Sequence, residues 1–143
     1  MTTTSFWVHG SSVIDTHHPG WQIARRFGGA SIMPAAGTTN QTATFFFPIP
    51  TVIGLTPTAV WVDLYPGNKA KVRTVQCYTG TSANGTAIAF SPALIAGNDG
   101  IQGPYAVANA SLKAGVLQVG VTVNMDAGGD PCRIQGIAVT FGK

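Results

Sequence analysis

Glutamate is absent from this 143-residue sequence, and charge is scarce: eight Lys and Arg and five Asp make up 9% of the residues, where soluble domains average roughly 25%. Glu, Lys and Arg usually cover exposed helices, so this composition argues against a helical fold. Long apolar runs are also missing, since none approaches the roughly 18 residues of a spanning helix. The sequence therefore predicts no membrane span and a surface of neutral polar residues.

The N-terminal residues 1–9 contain neither a basic segment nor an apolar stretch, so no secretory signal is visible. We expect a cytoplasmic protein or one exported by another route. A chain of this length buries about two thirds of its unfolded surface and needs no metal or disulfide to fold. We therefore expect a single domain over residues 1–143 and no cofactor.

Cysteine is rare: Cys77 and Cys132 are the two in the sequence. A disulfide between them would close a long loop, and the chain-entropy estimate values that closure at about 4 kcal/mol. The alternative is two buried thiols, the usual state of isolated cysteines and the expected one in a reducing compartment. Both alternatives stay open at this level.

Positive charge is scattered, although the formal net charge is +3. The clusters are Arg25-Arg26 and the alternating Lys69, Lys71 and Arg73. Nucleic-acid binding needs a coherent basic face that neutralises several phosphates. We therefore expect no nucleic-acid partner, and we assign the alternating stripe to keeping one strand solvated or to protecting its edge.

Strand patterns dominate what is present. Period-two alternation is clearest in one segment near the C-terminus, with Leu117, Val119, Val121, Val123 and Met125 on one face. Residues 137–141 repeat the pattern after the turn-forming residues 126–131, and the two runs predict a hairpin. Residues 59–65 and 71–78, joined by Pro and Gly, predict a second hairpin.

More strands follow from the same pattern, the last three from weaker signals, at residues 42–47, 86–90, 6–14, 21–27 and 105–112. About eight short strands at about ten-residue spacing are typical of antiparallel sandwiches. We therefore predict an all-β fold, an antiparallel β-sandwich with jelly-roll-like connections. The longest loop is predicted at residues 91–104.

Three segments in the first third of the chain carry a family resemblance: Phe6-Trp7-Val8-His9-Gly10, then Gly37-Thr38-Thr39-Asn40 before an aromatic run, then Pro48-Ile49-Pro50. They resemble an uncharacterised family of small bacterial proteins that open with a Trp-Val-His-Gly motif. The resemblance implies a single all-β domain. It assigns no activity and no catalytic residues, so function has to be argued from the residues themselves.

Candidate metal ligands lie close together near the start: His9, Asp15 and His17, with His18 beside them. Imidazole and carboxylate groups are the ligands of Zn²⁺ and similar metals. Neighbouring histidines on a strand point to opposite faces, so a shared site needs a loop here. The alternative is a packed His9 and a solvated histidine pair.

A second oxygen-rich group consists of Asn124, Asp126 and Asp130 with the glycines between them. Such a set can bind Ca²⁺. The same residues are also those that tight turns prefer, because Asp bonds its own backbone and Gly adopts positive φ. We favour the turn.

Catalytic signatures are missing from the sequence. It contains no nucleophile elbow, phosphate-binding loop or dinucleotide fingerprint in a strand-to-helix context. It also has no Glu to complete a carboxylate pair for sugar hydrolysis. We therefore expect a protein that is not an enzyme.

Candidate interface or ligand-binding residues lie on one strand and one loop. Alternation puts Trp61, Asp63 and Tyr65 on the face opposite Val60, Val62 and Leu64. Asn98 and Asp99 belong to the longest predicted loop, and loops carry binding more often than strands do. We expect these five residues at a contact surface: Trp61, Asp63, Tyr65, Asn98 and Asp99.

The neutral surface has two explanations. Much of the outer face is covered by further copies of the chain, because interfaces are depleted in Lys, Glu and Asp, which predicts a structural homo-oligomer or larger assembly. Alternatively, the neutral polar groups and aromatic rings bind carbohydrate in the manner of a lectin. We favour self-assembly and keep carbohydrate binding as the alternative.

Overall fold

The computed structural model describes residues 3–14, 20–50, 54–67, 70–79, 86–88, 95–96, 99–107, 117–128 and 130–142. These stretches contain a three-residue 3₁₀ helix, Gly10–Ser12, and eleven strands: β1 (Thr4–His9), β2 (Trp21–Arg26), β3 (Gly29–Pro34), β4 (Gln41–Ile49), β5 (Thr56–Tyr65), β6 (Ala70–Thr79), β7 (Thr86–Ile88), β8 (Ile95–Ala96), β9 (Gly100–Ala106), β10 (Leu117–Met125) and β11 (Cys132–Gly142). None of the helical structure in these stretches has the length and apolarity to cross a membrane.

The strands form two sheets in which every pairing is antiparallel. The six-stranded sheet has the order β2-β3-β11-β5-β9. The sixth strand, β1, pairs with residues 136–141 of β11, whereas β3 pairs with residues 132–134 of the same strand. The five-stranded sheet has the order β4-β10-β6-β7, with β8 also paired to β6.

The hydrophobic core lies between the sheets and draws on both. Val60 and Leu64 of β5 and Phe45 of β4 are fully buried in it. Trp21 of β2 contacts the Phe45 ring edge-on across the two sheets, with the ring centroids 5.5 Å apart. No polar or charged side chain is buried in the described stretches. The predicted all-β, single-domain antiparallel sandwich is confirmed, and the jelly-roll connectivity stays a prediction.

Both predicted hairpins are wrong. β10 belongs to the five-stranded sheet and β11 to the six-stranded sheet, and β5 and β6 are separated in the same way. In each case the two flanking strands belong to different sheets and are not hydrogen-bonded to each other. A Gly- and Pro-rich reversal is compatible with either outcome, so local turn chemistry could not distinguish them.

The number of strands and the longest loop also differ from expectation. The described stretches contain eleven strands, where about eight were predicted. β3 was missed, although it forms the hairpin with β2 across Phe27-Gly28. β9 covers residues 100–104 of the predicted loop at residues 91–104, and β8 lies within it. The Gly and Pro residues of this segment predicted a loop, but both residue types are also tolerated in an outermost strand.

Candidate functional site

The outer face of the six-stranded sheet carries the aromatic residue that the sequence placed at a surface. In β5 the residues alternate as predicted: Val60, Val62 and Leu64 are fully buried, whereas Trp61, Asp63 and Tyr65 are half-buried and face outwards. Trp61 is directly opposite Ala138 of β11.

Trp7 of β1 approaches the same place from the other side of β11, because it too is directly opposite Ala138. Ala138 faces outwards yet is fully buried, since an indole flanks it on each side. A Cβ added at Gly136 would lie 3.4 Å from the Trp7 ring, and one added at Gly103 would lie 3.2 Å from the Trp61 ring. The two tryptophans therefore lie against small residues of the neighbouring strands.

We call this surface the tryptophan face and define it by Ser5, Trp7, Trp61, Ile101, Ala138 and Thr140. Trp7 is 48% exposed and Ile101 61% exposed. The only polar atom of the Trp61 indole, Nε1–H, donates to Thr140 Oγ1 at 3.0 Å, and this hydroxyl also hydrogen-bonds Ser5 Oγ at 2.8 Å. The polar groups are thus paired within the surface, and the six defining residues carry no charge.

A cleft of about 320 Å³ opens further along the same sheet, which we call the tyrosine cleft. It is lined by Ser31, Tyr65, Gly67, Asp99, Asp130, Pro131 and Arg133. The Arg133 guanidinium stacks on the Tyr65 ring at 4.7 Å from its centroid, and its Nε is buried without a hydrogen-bond partner. The cleft therefore combines a fixed cation, two carboxylates and an aromatic ring.

Two of the five expected contact residues, Tyr65 and Asp99, come together in the tyrosine cleft. Trp61 lies on the tryptophan face, and Asp63 follows it along β5. Asn98 lies outside the described residues. Arg133 and Trp7 were missed by the sequence reasoning: neither strand alternation nor a motif indicates which distant strand a residue will adjoin.

His9 uses both ring nitrogens within the protein. Nδ1 accepts from the Ser11 backbone N–H at 3.1 Å, so Nε2 carries the proton and donates to the Phe27 carbonyl at 2.7 Å. The other two candidate ligands, Asp15 and His17, lie outside the described residues. Within the described stretches no three His, Cys, Asp or Glu side chains are grouped as a metal site would need.

The oxygen-rich turn after β10 is used for turn contacts. Asp126 Oδ1 accepts from the Asn40 backbone N–H at 2.7 Å, and Asn124 Nδ2 donates to Asn40 and to Thr42. Asp130, the third residue of the group, lines the tyrosine cleft. These contacts favour the turn interpretation over a calcium site.

Cys77 and Cys132 are free thiols in the core, one in each sheet. Burial raises the pKa of each thiol from 9.0 to about 12, because the apolar surroundings disfavour the thiolate. Neither is therefore a nucleophile at neutral pH.

The tip of the β2–β3 hairpin carries a second surface feature. Phe27 is fully exposed there, beside a shallow cleft of about 410 Å³ lined by His9, Ser11, Arg25, Arg26 and Phe27. Arg25 is held by a 2.8 Å bond from its guanidinium to the Val13 carbonyl. The sequence signal for this tip is Arg-Arg-Phe-Gly-Gly at residues 25–29, whereas strand alternation predicts only the end of a strand at residue 27.

The outer face of the five-stranded sheet is different in chemistry. We call it the threonine face and define it by Thr42, Thr44, Gln118, Thr122 and Asn124. Thr44 and Thr122 share a 2.8 Å hydroxyl hydrogen bond, and Asn124 donates to Thr42 Oγ1 at 2.8 Å. Lys71 and Arg73 of the adjoining strand β6 are exposed, which supports a solvated surface.

No protein-family model matches the chain, and no curated protein matches its sequence. The likeness of its first third to the proteins that open with Trp-Val-His-Gly therefore stays a resemblance, and function depends on the surfaces described above.

Proposed function

We propose that this protein is a non-catalytic structural module that self-associates through the tryptophan face. The observation that carries the proposal is an uncharged patch of the outer sheet face, bordered by Asp63, on which Trp7 and Ile101 remain about half exposed or more. Apolar patches of this kind on a folded domain mark contact surfaces. Tryptophan is also among the residues that contribute most to binding free energy at interfaces.

A second copy is the occupant that fits this surface best. The hydrogen-bonding groups of Trp61 and Thr140 are already paired with each other, so covering them leaves no polar atom of the pair unsatisfied. Burial of apolar surface contributes roughly 25 cal/mol per Å². A two-fold contact would bury the face of both copies at once.

The test is the mass of the untagged protein in solution, measured by light scattering after size-exclusion chromatography. We expect an oligomer, and we expect Trp61→Arg to reduce its mass by half or more, since the charge would have to be buried in the contact. Gln118→Arg, which adds the same charge to the threonine face, is the matched control and should leave the mass unchanged. A monomeric wild type, or equal effects of the two variants, would contradict the proposal.

Carbohydrate binding is the second candidate, favoured by the tyrosine cleft. Asp99, Asp130 and Arg133 meet there beside Tyr65, and carboxylates with a guanidinium suit the paired donors and acceptors of vicinal hydroxyls. The three charges sum to −1, so a neutral saccharide is a better ligand than an anionic one.

A glycan array probed with the wild-type protein tests this candidate. We expect a signal that is lost in Asp99→Asn, which removes an acceptor from the cleft, and retained in Asp63→Asn, whose carboxylate is not part of the cleft lining. No signal from the wild type, or equal loss in both variants, would count against a saccharide site in this cleft.

A further inference from the structure

Strand β1 is paired along one edge and open along the other. Its six residues form a ladder with β11, from Thr4 opposite Phe141 to His9 opposite Gly136. In the described stretches no strand pairs with its other edge. An open edge presents a row of backbone N–H and C=O groups, which is a template for another strand.

The other outermost strands carry features that discourage pairing. β2 contains Arg25 and Arg26, and β9 contains Pro104 and an irregular register. β4 contains Pro48, and its backbone accepts a hydrogen bond from Ile14. β7 and β8 are three and two residues long. Charge, proline, irregular register and short length are the usual protections of edge strands.

β1 has none of these protections. Its sequence, Thr-Ser-Phe-Trp-Val-His, contains no Lys, Arg, Asp or Pro, and its register with β11 is unbroken. It also exposes an aromatic side chain on each side of the sheet: Phe6 is 37% exposed and Trp7 48% exposed. The open edge is therefore uncharged and aromatic.

We propose that β1 pairs with β1 of a second copy and joins two six-stranded sheets into one continuous sheet. The occupant is a second copy because an antiparallel edge is complementary to itself: a two-fold rotation brings the donors of each strand to the acceptors of the other. No charged side chain of β1 opposes the approach. The inference rests on the self-association proposed above and adds to the contact through the tryptophan face a second contact, along the edge of β1.

The two-fold axis restricts the register. It is perpendicular to the sheet, so the tryptophan face of one copy continues into that of the other. Residues directly opposite each other share a face. The central registers that satisfy this condition put Trp7 opposite its own counterpart or Phe6 opposite its own counterpart. These two registers differ by a shift of two residues between the strands. A shift of one residue would place Phe6 of one copy opposite Trp7 of the other, and it is excluded because these side chains lie on opposite faces of the sheet.

Disulfide trapping tests the pairing and its register. Single-cysteine variants Ser5→Cys, Phe6→Cys, Trp7→Cys and Val8→Cys would be incubated with oxidised glutathione, and the covalent dimer followed by non-reducing electrophoresis. Background is low because the native Cys77 and Cys132 are buried. We expect the residue on the axis, 6 or 7, to crosslink several-fold faster than its neighbours. Equal rates at all four positions, or no dimer, would overturn the proposal.

A charge on the edge provides a second test that does not use the tryptophan face. Phe6 lies on the other side of the sheet, packed edge-on against Phe141 with centroids 6.1 Å apart. Phe6→Lys should halve the mass in solution while thermal unfolding stays cooperative. Ile14→Lys, which alters a similarly exposed apolar residue outside β1, is the matched control and should leave the mass unchanged. An unchanged mass in folded Phe6→Lys would refute edge pairing.

The two proposals fail separately. If Trp61→Arg leaves the mass unchanged while trapping at β1 persists, contact through the tryptophan face is wrong and edge pairing stands. If Trp61→Arg reduces the mass but no cysteine in β1 crosslinks, edge pairing is wrong and the face contact stands.

Discussion

The two outer faces of the sandwich arise from the same strand alternation but have different chemistry. On the threonine face, neighbouring strands share hydroxyl and amide hydrogen bonds, such as the Thr44–Thr122 pair at 2.8 Å. On the tryptophan face, indole rings lie against Gly and Ala of the next strands, and the polar groups bond each other. The first face is polar and suits contact with water, and the second is the face that we propose as the contact between copies.

The central position of each face shows the difference most clearly. Ala138 of β11 faces outwards but is fully buried, because Trp7 and Trp61 flank it. Thr122 of β10 also faces outwards and stays half-buried. An outward direction along a strand therefore does not establish exposure; the size of the side chains on neighbouring strands does.

The largest expected effect is on stability, from a charge placed at these two central positions. Ala138→Asp should lower the free energy of unfolding by about 3 kcal/mol, because it buries an unpaired carboxylate beneath two indoles. Thr122→Asp should lower it by about 1 kcal/mol, since the carboxylate stays partly solvated and can accept from the Thr44 hydroxyl. Urea unfolding of both variants at one protein concentration measures the difference. Equal losses would mean that the two faces are equally covered.

An intermediate effect is expected from removing the central hydroxyl of each face. Thr140→Val should cost about 1–2 kcal/mol, because it leaves the Trp61 Nε1–H without its acceptor. Thr122→Val should cost about 1 kcal/mol, and adding Thr44→Val should restore part of that loss, since both partners of the bond are then apolar. Chemical unfolding of the two single variants and the double variant tests this order. If Thr122→Val lowered the free energy of unfolding more than Thr140→Val did, the expected order of the two faces would be wrong.

The smallest expected effect concerns the thiol beneath each sheet. Cys77 and Cys132 keep their protons in the fold because burial raises the pKa of each from 9.0 to about 12. Their contribution to stability is complete below pH 9 and is lost as the pH rises towards 12. Between pH 9 and pH 10 each thiol should lower the free energy of unfolding by about 1 kcal/mol.

Cysteine-to-alanine variants assign this pH dependence to each sheet. If the two sheets unfold together, Cys77→Ala and Cys132→Ala should each reduce the loss of unfolding free energy above pH 9 by the same amount. Unfolding curves at pH 8, 9 and 10 provide the measurement. A decline that is unchanged in either variant would show that the thiol in question does not titrate with unfolding.

Much of the local structure could be predicted from the sequence because alternation depends on neighbouring residues alone. β5 and β10 were located with the correct buried faces, and Trp61 was assigned to the outward face. The hairpin predictions were wrong because Asp, Gly and Pro reverse the chain without determining whether the two strands pair or stack. β3 and β9 were missed or taken for a loop because glycine and proline weaken the strand pattern.

The candidate surfaces were less predictable than the strands. Trp7 and Trp61 are 54 positions apart in the sequence, and they share a face because β11 lies between their strands. Arg133 reaches Tyr65 for the same reason: the two residues are directly opposite in the β11–β5 ladder. Pairings between distant strands depend on which apolar faces pack together, and no local pattern encodes that choice.

The sequence by itself determined the class of structure and the kind of surface: a chain without glutamate and rich in alternating apolar residues forms strands whose outward faces carry few charges, because side-chain direction alternates along every strand. Tertiary structure decided which strands share a sheet, which outward residues are covered, and that β1 keeps one edge open in the described part of the chain. Those outcomes depend on packing between distant segments, where the burial of complementary apolar faces outweighs the preferences of each segment alone.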